Sequence, residues 1–384
     1  MKAHWYLVRN CRAFLLSMVT MLSILLAGFA HQALAAPVIY LAGDSTVMTN
    51  GANNYPQQGW GARLPALFTT GVTFSNRAVG GRSSKSFVDE GRLSAILGVI
   101  KPGDYLFVQF GHNDGYSDVR LHTDPFTSYK TYLAMYIDLS RQYGAIPVLV
   151  TPMGRRRYDS SAHFLNDFVD RSTAMKQLAT EKSVPLIDLN AKSIAFYNGI
   201  GVPATTDVFL WLEAGQYPVF PNGVHDITHF QEYGATQIAR LVAQGIEENR
   251  LGIRSFIGAV PYPAEAGVLS GAGTARARAY GGWQGRGYVS FPASGGVMTI
   301  NGVIGKGGGT RTLRIRYANG SSAARSGQLV VNGIATSISF NPSGSWTGWV
   351  IKDVTVTLKG ATANVISLKS TGAGLANIDT LTVL

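Results

Sequence analysis

Cysteine is almost absent from this sequence of 384 residues, in which Cys11 is the only one. Removal of an N-terminal segment that includes Cys11 would leave a chain without disulfides, a cysteine nucleophile or a thiolate metal site. Histidine is unevenly spread, because all seven histidines lie at or before His229. The last third of the chain therefore has no imidazole for general-base catalysis, which predicts a binding role for it rather than a catalytic one.

The first 36 residues have the pattern of a secretory signal peptide. A basic start is followed by an apolar run over residues 13–30 and by the small-residue sequence of residues 33–36. A membrane anchor is the alternative, but the run is near the lower length limit for a span and a cleavage pattern follows it at once. We predict cleavage near Ala35 or Ala36 and a secreted protein, extracellular or periplasmic, with no membrane association after cleavage. An exported chain without disulfides favours a bacterial source.

Acidic residues are scarce in the C-terminal part. Residues 256–384 contain 11 lysines and arginines but only three acids, a net charge of +8. The signal segment carries +3, so residues 37–255 are neutral and the total of +11 is concentrated at the C-terminal end. Such a surface attracts acidic polymers. Export and the scattered placement of the basic residues argue against a nucleic acid as the partner.

The pattern of apolar residues changes near residue 255. Before it, predicted strands alternate with predicted helices, which indicates an α/β domain with a parallel sheet and helices on both faces. The strands are predicted over residues 38–41, 105–108, 146–150 and 184–187, and the helices over 129–143 and 235–248. After it, short alternating runs separated by Gly and Ser predict an antiparallel β-sandwich. We therefore divide the chain into the signal peptide (1–36), an α/β domain (37–255) and a β-sandwich domain (256–384).

A serine directly follows the first predicted strand, in the sequence Gly43-Asp44-Ser45-Thr46. Parallel sheets place their sites at the carboxyl ends of strands, so Ser45 is a candidate nucleophile. The alternative is that Asp44 or Ser45 only caps the next helix. No Gly-x-Ser-x-Gly sequence surrounds Ser45, so the common α/β-hydrolase arrangement is not indicated.

A candidate base lies in the sequence Asp226-Ile227-Thr228-His229. A nucleophilic serine needs a base to take its proton, and the base needs a partner that fixes its tautomer. On a helical turn, residues three apart share a face, which would bring Asp226 beside His229. His225 is a rival base, and Asp226 could instead cap a helix.

Two further residues of the chain are candidate oxyanion donors. Asn113 comes shortly after the strand that begins at Tyr105 and offers a side-chain amide. Gly81 offers a backbone N–H without a side chain that would block a substrate. Preorganised donors of this kind stabilise the charge that develops during ester cleavage. Both residue types are also ordinary turn residues.

Ser45, Gly81, Asn113 and His229 occur in the order of the four sequence blocks that name the SGNH hydrolases. Within that superfamily the chain resembles the rhamnogalacturonan acetylesterases, carbohydrate esterase family twelve, in residues 43–46, 59–61, 76–87, 103–105, 110–114, 150–152 and 226–229. This resemblance implies a flavodoxin-like three-layer fold. It also implies that Ser45 is the nucleophile and that His229 is the base with Asp226 as its partner. The implied oxyanion donors are Gly81, Asn113 and the N–H of Ser45.

The C-terminal part resembles a carbohydrate-binding module of family thirty-five. The matching segments are residues 262–266, 287–289, 315–320, 331–333, 346–349 and 377–379. Such modules bind sugars at loops on one end and usually hold a structural calcium. Glu265 and Asp379 fit the calcium positions, although Pro263 stands where many relatives have a glutamate.

Tryptophans and one asparagine are the sugar-binding candidates of this module. Trp283 and Trp346 are candidates for stacking on sugar rings, and Asn319 is a candidate hydrogen-bond partner of the ligand. Trp349 is expected in the core, because large aromatic side chains are mostly buried.

Together these features predict a secreted serine esterase that removes acetyl groups from a plant cell-wall polysaccharide and needs no cofactor for its chemistry. The charge of +8 on residues 256–384 favours acidic pectin over neutral xylan. An acetyl xylan esterase and a lipase-like SGNH acyl hydrolase are the enzymatic alternatives. A non-catalytic glycan-binding protein is the alternative of another class, although the complete set of Ser45, Gly81, Asn113, Asp226 and His229 argues against it.

Overall fold

A computed structural model describes residues 36–384 of the chain, so the predicted signal peptide lies outside the described residues except for Ala36. Within residues 36–384 no helix combines the length and the apolar character that a membrane crossing requires. The strands of the N-terminal part are β1 (Val38–Gly43), β2 (Gln57–Gln58), β3 (Thr73–Asn76), β4 (Tyr105–Gln109), β5 (Ile146–Val150), β6 (Leu186–Ile187), β7 (Phe209–Leu212) and β8 (Val224–Gln231). Its helices are α1 (Trp60–Arg63), α2 (Ser84–Asp89), α3 (Arg92–Leu97), α4 (Lys130–Gln142), α5 (Val169–Glu181), α6 (Leu189–Ile200) and α7 (Glu232–Glu248).

Five of these strands form a parallel sheet in the order β3-β1-β4-β5-β6. Numbered only among themselves, they run 2-1-3-4-5, which is the flavodoxin-like order. The strand order reverses between β1 and β4, and ligands of such sheets bind at the carboxyl ends of the strands beside this reversal. The segments that follow β1 and β4 contain Ser45 and Asn113, so the fold brings both to one edge of the sheet.

Helices cover both faces of this sheet. Alternate residues of β1 enter different cores: Ile39 and Leu41 lie on one face, Tyr40 and Ala42 on the other. The core around Tyr40 is closed by α2, α3, α4 and α5, and the core around Ile39 by α1, α6 and α7. Burial on both faces explains why β1, β4 and β5 are short apolar runs rather than alternating ones. The predicted three-layer α/β fold is confirmed.

A small antiparallel sheet in the order β2-β8-β7 lies beside the main sheet. Its central strand, β8, leads directly into α7. This strand contains both Asp226 and His229, and its pairing with β2 and β7 therefore sets their position.

The C-terminal part is an antiparallel β-sandwich, as predicted. Its strands are β9 (Val260–Pro263), β10 (Val268–Ser270), β11 (Ala275–Ala277), β12 (Tyr288–Ser290), β13 (Val297–Val303), β14 (Gly309–Ala318), β15 (Arg325–Val331), β16 (Ile334–Phe340), β17 (Val350–Leu358), β18 (Asn364–Ser370) and β19 (Asn377–Val383). One sheet has the order β10-β13-β18-β15-β16, and the other has the order β11-β12-β19-β14-β17 with β9 paired to β19.

The two parts share one hydrophobic core. The cluster that contains Ile39 and Leu41 of the parallel sheet continues through Tyr262 to Leu313 and Leu381 of the sandwich. Residues 38–384 accordingly form a single compact unit. The predicted boundary between residues 255 and 256 falls within a short 3₁₀ segment, Gly252–Phe256.

Candidate active site

Ser45, His229 and Asp226 form a continuous chain of hydrogen bonds. The Nε2 atom of His229 lies 2.9 Å from Ser45 Oγ, and its Nδ1 atom lies 2.7 Å from Asp226 Oδ2. With Nδ1–H donated to the carboxylate, Nε2 is left free to accept the serine proton. In the predicted catalytic set, His229 is thus within hydrogen-bond distance of both Ser45 and Asp226.

Asp226 and His229 lie in an extended strand, not in the helical turn that the sequence suggested. Asp226 Oδ1 accepts hydrogen bonds from the backbone N–H of Thr228, at 2.7 Å, and of His229, at 2.9 Å. These bonds bend the chain locally, so a carboxylate and an imidazole three residues apart meet within β8. The prediction of a helical turn was wrong, because residues on both sides of this segment pair with β7, His225 with Trp211 and Phe230 with Phe209, and residues 226–229 form a bulged part of β8 between them.

The environment shifts the pKa values of both groups in the direction that base catalysis requires. Burial acts to raise the pKa of Asp226, but hydrogen bonds and charge from His229 outweigh it and hold the pKa at about 2. Burial acts to lower the pKa of His229, but Asp226 prevails and raises it above 6.5. Asp226 is therefore ionised at all ordinary pH values, and His229 is a stronger base than a free imidazole.

Ser45 sits in a tight turn that a buried polar network holds in place. Asp44 is completely buried, and its carboxylate accepts hydrogen bonds from the N–H and hydroxyl of Thr46 at 2.9 and 2.7 Å. The other Asp44 oxygen lies 3.2 Å from His112 Nδ1. Burial acts to raise the pKa of Asp44, yet His112 and Thr46 bring it below its ordinary value. The side chains on both sides of Ser45 are thus fixed, which presents its hydroxyl in one position.

This network continues to α1. Gln109, at the end of β4, donates to the hydroxyl of Thr46 at 2.7 Å and accepts from Trp60 Nε1 at 2.7 Å. The sequence does not reveal this connection, because its members lie on three separate elements. His112 is another residue that the sequence reasoning missed, although it lies in the segment 110–114 that carries the resemblance.

The predicted oxyanion donors lie on the loops that follow β3 and β4. Gly81 has φ +75°, a left-handed conformation, and a side chain added there would meet open space rather than protein atoms. Asn113 donates one amide hydrogen to the carbonyl of Arg82 at 3.0 Å, which leaves its second hydrogen for a substrate. Gly80 lies against Ser45, since a Cβ at Gly80 would be 3.6 Å from the Cβ of Ser45. These contacts place both donor loops next to the serine.

Asp114 holds the Asn113 loop to α2. It accepts hydrogen bonds from the N–H and hydroxyl of Ser84 at 3.0 and 2.5 Å and from the hydroxyl of Thr123 at 3.0 Å. Burial raises the pKa of Asp114 to about 6. The acid is therefore a structural anchor of the loop.

His225, the rival base, points away from the serine. Its ring stacks on Trp211 with the ring centres 4.1 Å apart, and its Nε2 lies 3.4 Å from Glu213 Oε1. The guanidinium of Arg156 lies 4.1 Å from the Trp211 ring centre, so the three side chains form a layered stack. A short run of arginines after the predicted strand 146–150 is the one sequence signal for this stack.

The sugar-binding candidates of the sandwich differ in how deeply they are buried. Asn319 is completely buried, and its amide donates to the carbonyls of Ala323 and Phe340 at 2.9 and 3.0 Å. The prediction that Asn319 contacts a ligand is therefore corrected: it closes a turn inside the module. Trp283 and Trp346 are half-buried, and Trp346 stacks on Tyr280 with ring centres 5.9 Å apart.

Trp349 is also half-buried, in contrast to the core position expected from its size. Its Nε1 donates to the carbonyl of Gly281 at 2.8 Å, and its ring packs at 5.5 Å from that of Tyr288. The loop around Gly281 thus holds the indole near the surface, where one edge stays in contact with solvent.

The two predicted calcium ligands do not form a calcium site as they are placed. Glu265 Oε1 accepts the N–H of Arg286 at 2.8 Å, and Asp379 accepts the N–H of Gln284 at 2.9 Å. The guanidinium of Arg316 pairs with the second oxygen of Asp379 and supplies the positive charge that a cation would bring. Residues 36–384 contain no cluster of three or more His, Cys, Asp and Glu side chains that could hold a metal, whereas calcium takes six to eight oxygen ligands.

Comparison with known proteins places these observations in a family. Residues 41–234 match the model of the GDSL-like lipase/acylhydrolase family, and residues 297–383 match that of an alpha-galactosidase CBM13 domain. The probable rhamnogalacturonan acetylesterase YesY of Bacillus subtilis is 48% identical over 211 residues, which are 55% of this chain and 92% of that protein. The rhamnogalacturonan acetylesterase RhgT of the same organism is 42% identical over 219 residues, 57% of this chain and 93% of that protein.

Two solved structures are also similar. The crystal structure of YxiM from Bacillus subtilis has 32% identity and a TM-score of 0.48, covering 56% of this chain and 57% of that one. A family 35 carbohydrate-binding module from Clostridium thermocellum has 30% identity and a TM-score of 0.31, covering 33% of this chain and 98% of that one. Because the family model spans half of the sequence and the two acetylesterases are matched over nearly their whole length, the chain belongs to the GDSL-like lipase/acylhydrolase family of carboxylic ester hydrolases.

Proposed function

We propose that this protein is a rhamnogalacturonan acetylesterase, which hydrolyses O-acetyl esters of acidic pectin through an acetyl-enzyme on Ser45. The observation that carries the proposal is the hydrogen-bonded chain of Ser45, His229 and Asp226. Its occurrence in a chain 48% identical to a probable rhamnogalacturonan acetylesterase supports the choice of substrate.

In the first half-reaction, Ser45 Oγ attacks the acetyl carbonyl carbon and its proton moves to His229 Nε2. The carbonyl oxygen becomes an oxyanion, which accepts hydrogen bonds from the Ser45 and Gly81 N–H groups and the Asn113 amide. Collapse of this intermediate breaks the bond to the sugar oxygen. His229 returns its proton to that oxygen, so the free sugar hydroxyl leaves and the acetyl group remains on Ser45.

In the second half-reaction, water replaces the sugar. His229 takes a proton from the water as its oxygen attacks the acetyl-serine carbonyl, and the same donors bind the second oxyanion. Collapse releases acetic acid and restores the serine hydroxyl with the proton from His229. Asp226 remains ionised throughout, since its pKa of about 2 lies far below that of the imidazole.

Two further features support an exported pectin-acting enzyme. The first 36 residues have the pattern of a signal peptide, and the mature chain would be free of cysteine. Residues 256–384 carry a net charge of +8, which favours an anionic polymer such as galacturonate-rich pectin over xylan. Export is tested by N-terminal sequencing of protein recovered from the medium or periplasm of the source cells, which should begin just after Ala35 or Ala36.

The function is tested by measuring acetate release from acetylated rhamnogalacturonan, acetylated xylan, long-chain acyl esters and a short aryl acetate. We expect the highest kcat/KM on rhamnogalacturonan and no release by Ser45→Ala, whose circular dichroism spectrum should match that of the unchanged protein. A preference for xylan or for long acyl chains would identify one of the alternative esterases. Pectin binding without acetate release from any ester would identify a non-catalytic glycan-binding protein.

A further inference from the structure

The C-terminal sandwich contacts the strand that carries the candidate base. Arg286 lies on the sandwich loop between β11 and β12, and its Nη2 donates to Gln231 Oε1 at 2.6 Å. Gln231 is the last residue of β8, and His229 precedes it by two positions in the same strand. Only Phe230 separates the two residues, so a shift of the end of β8 at Gln231 would displace the backbone that carries His229.

Gln231 links the end of β8 by hydrogen bonds to residues 206–209. It is buried, and its amide nitrogen donates to the carbonyls of Thr206 and Phe209, both at 2.9 Å. Its backbone N–H donates to the carbonyl of Val208 at 3.1 Å. With the amide nitrogen on these carbonyls, the amide oxygen accepts a hydrogen bond from Arg286. Loss of Arg286 would leave a buried acceptor without a partner, which favours rotation or displacement of the amide.

Arg286 is itself held in place. Its backbone N–H donates to Glu265 Oε1 at 2.8 Å, and its guanidinium lies 5.9 Å from the ring centre of Tyr233, at the start of α7. Burial raises the pKa of Glu265 to about 7. Glu265, Tyr233 and Arg286 line the same small cavity between the α/β part and the sandwich. The donor of Gln231 therefore comes from a rigid part of the sandwich.

We propose that Arg286 is a positioning residue for His229, so that the sandwich is part of the catalytic apparatus and not only a substrate-binding module. The relatives YesY and RhgT are matched over residues that make up 92% and 93% of their length but only 55% and 57% of this chain. In this chain, Arg286 lies outside residues 41–234, which match the family model, and it donates a hydrogen bond to the last residue of β8. The inference rests on the proposed function only through the role of His229 as the base.

The test compares Arg286→Met with Arg240→Met in the full-length protein, with a short aryl acetate as substrate. Methionine keeps the apolar stem of each side chain and removes its donors. Arg240 is the matched control, because it also joins the α/β part to the sandwich, from α7 to the carbonyl of Pro261 at 2.9 Å, and donates to neither β8 nor Arg286. The aryl acetate needs no binding to the sandwich, so the result reports on chemistry alone.

We expect Arg286→Met to lower kcat about tenfold with KM within about twofold, since misplacement of a catalytic group by about 1 Å can cost up to about a hundredfold. Arg240→Met should keep kcat within about twofold while lowering the melting temperature about as much as Arg286→Met does. Arg286→Lys, which restores a charged donor, should recover part of kcat and serves as the second variant if Arg286→Met does not fold.

Equal kcat for the two methionine variants, or a lysine variant no better than Arg286→Met, would overturn the positioning role. These outcomes are distinct from failure of the proposed function, which would appear as absence of ester hydrolysis by the unchanged protein. The ratio between variants tests the positioning role, and the activity of the unchanged protein tests the function.

Discussion

Single side chains decide the chemistry at this site, and two histidines close in sequence have different surroundings. His229 lies between Ser45 and Asp226, whereas His225 stacks on Trp211 and faces Glu213. Their positions in the sequence do not show which histidine is the base, because both precede α7 by a few residues. A regular strand would turn residues four apart to the same side. The separation comes from the bulge in β8 between His225, which pairs with Trp211, and Phe230, which pairs with Phe209.

His229→Ala should lower kcat by several orders of magnitude, because it removes the imidazole whose Nε2 lies 2.9 Å from Ser45 Oγ and takes its proton. His225→Ala should lower kcat less than about tenfold and act mainly on KM, through loss of the stack with Trp211. Steady-state kinetics of both variants on an aryl acetate provide the comparison. Similar losses of kcat in the two variants would refute the assignment of His229.

The pH dependence of the reaction follows from the same pair. His229 acts as a base only when neutral, and Asp226 raises its pKa above 6.5. We therefore expect kcat/KM to fall as pH decreases through a midpoint above 6.5, because protonation removes the acceptor at Nε2. Asp226→Asn should move this midpoint to lower pH and lower the limiting rate. A midpoint that stays in place in Asp226→Asn would show that another group titrates.

At the scale of helices and strands, the sequence predicted the buried elements best. Strands β1, β4 and β5 were recognised because burial on both faces makes them continuous apolar runs. The two-residue strand β2 has no such signal and was missed. Strand β7, Phe209–Leu212, is also an apolar run, but it was not predicted. The catalytic set was proposed from motif order, and the structure brings Ser45, Asp226 and His229 together, while their roles remain predictions.

Long-range contacts explain the elements and residues that sequence reasoning misplaced. Residues 226–229 were expected in a helical turn, but their neighbours on both sides pair with distant parts of the chain, which makes the segment a bulged part of strand β8. Asn319 was expected to bind sugar because it follows a strand, but the module uses its amide internally. Local patterns do not specify which partner a polar side chain will find.

The contact between α7 and the segment before β7 provides a stability test at this scale. A Cβ on Gly234 would overlap the carbonyl oxygen of Val208, a backbone atom that cannot move independently. Gly234→Ala should therefore destabilise the protein by about 1–3 kcal/mol or more. Gly98→Ala is the matched control, since its Cβ would lie 3.6 Å from the nearest atom and should change stability by no more than about 1 kcal/mol. Urea unfolding of both variants measures the difference, and equal stabilities would contradict the close packing of α7 on Val208.

At the scale of the whole molecule, charge is separated along the chain. The basic residues of the sandwich outnumber its acids, while the α/β part is neutral. Full-length Ser45→Ala, which cannot consume its substrate, should bind pectin at low salt and lose affinity as salt is added. Binding to neutral xylan should be weaker and less sensitive to salt. Equal, salt-insensitive binding to both polymers in a titration would exclude an electrostatic basis for substrate choice.

Helix α7 has a consequence for how the molecule responds to heat. It is buried against the parallel sheet and also against the sandwich, where Arg240 donates to the carbonyl of Pro261 at 2.9 Å and Glu247 accepts the N–H of Gly307 at 2.8 Å. Neither half can melt without exposing a face of this helix, so calorimetry should record one cooperative transition. A polymer bound only to the sandwich would then protect the esterase half from thermal inactivation, by mass action on a shared unfolding equilibrium.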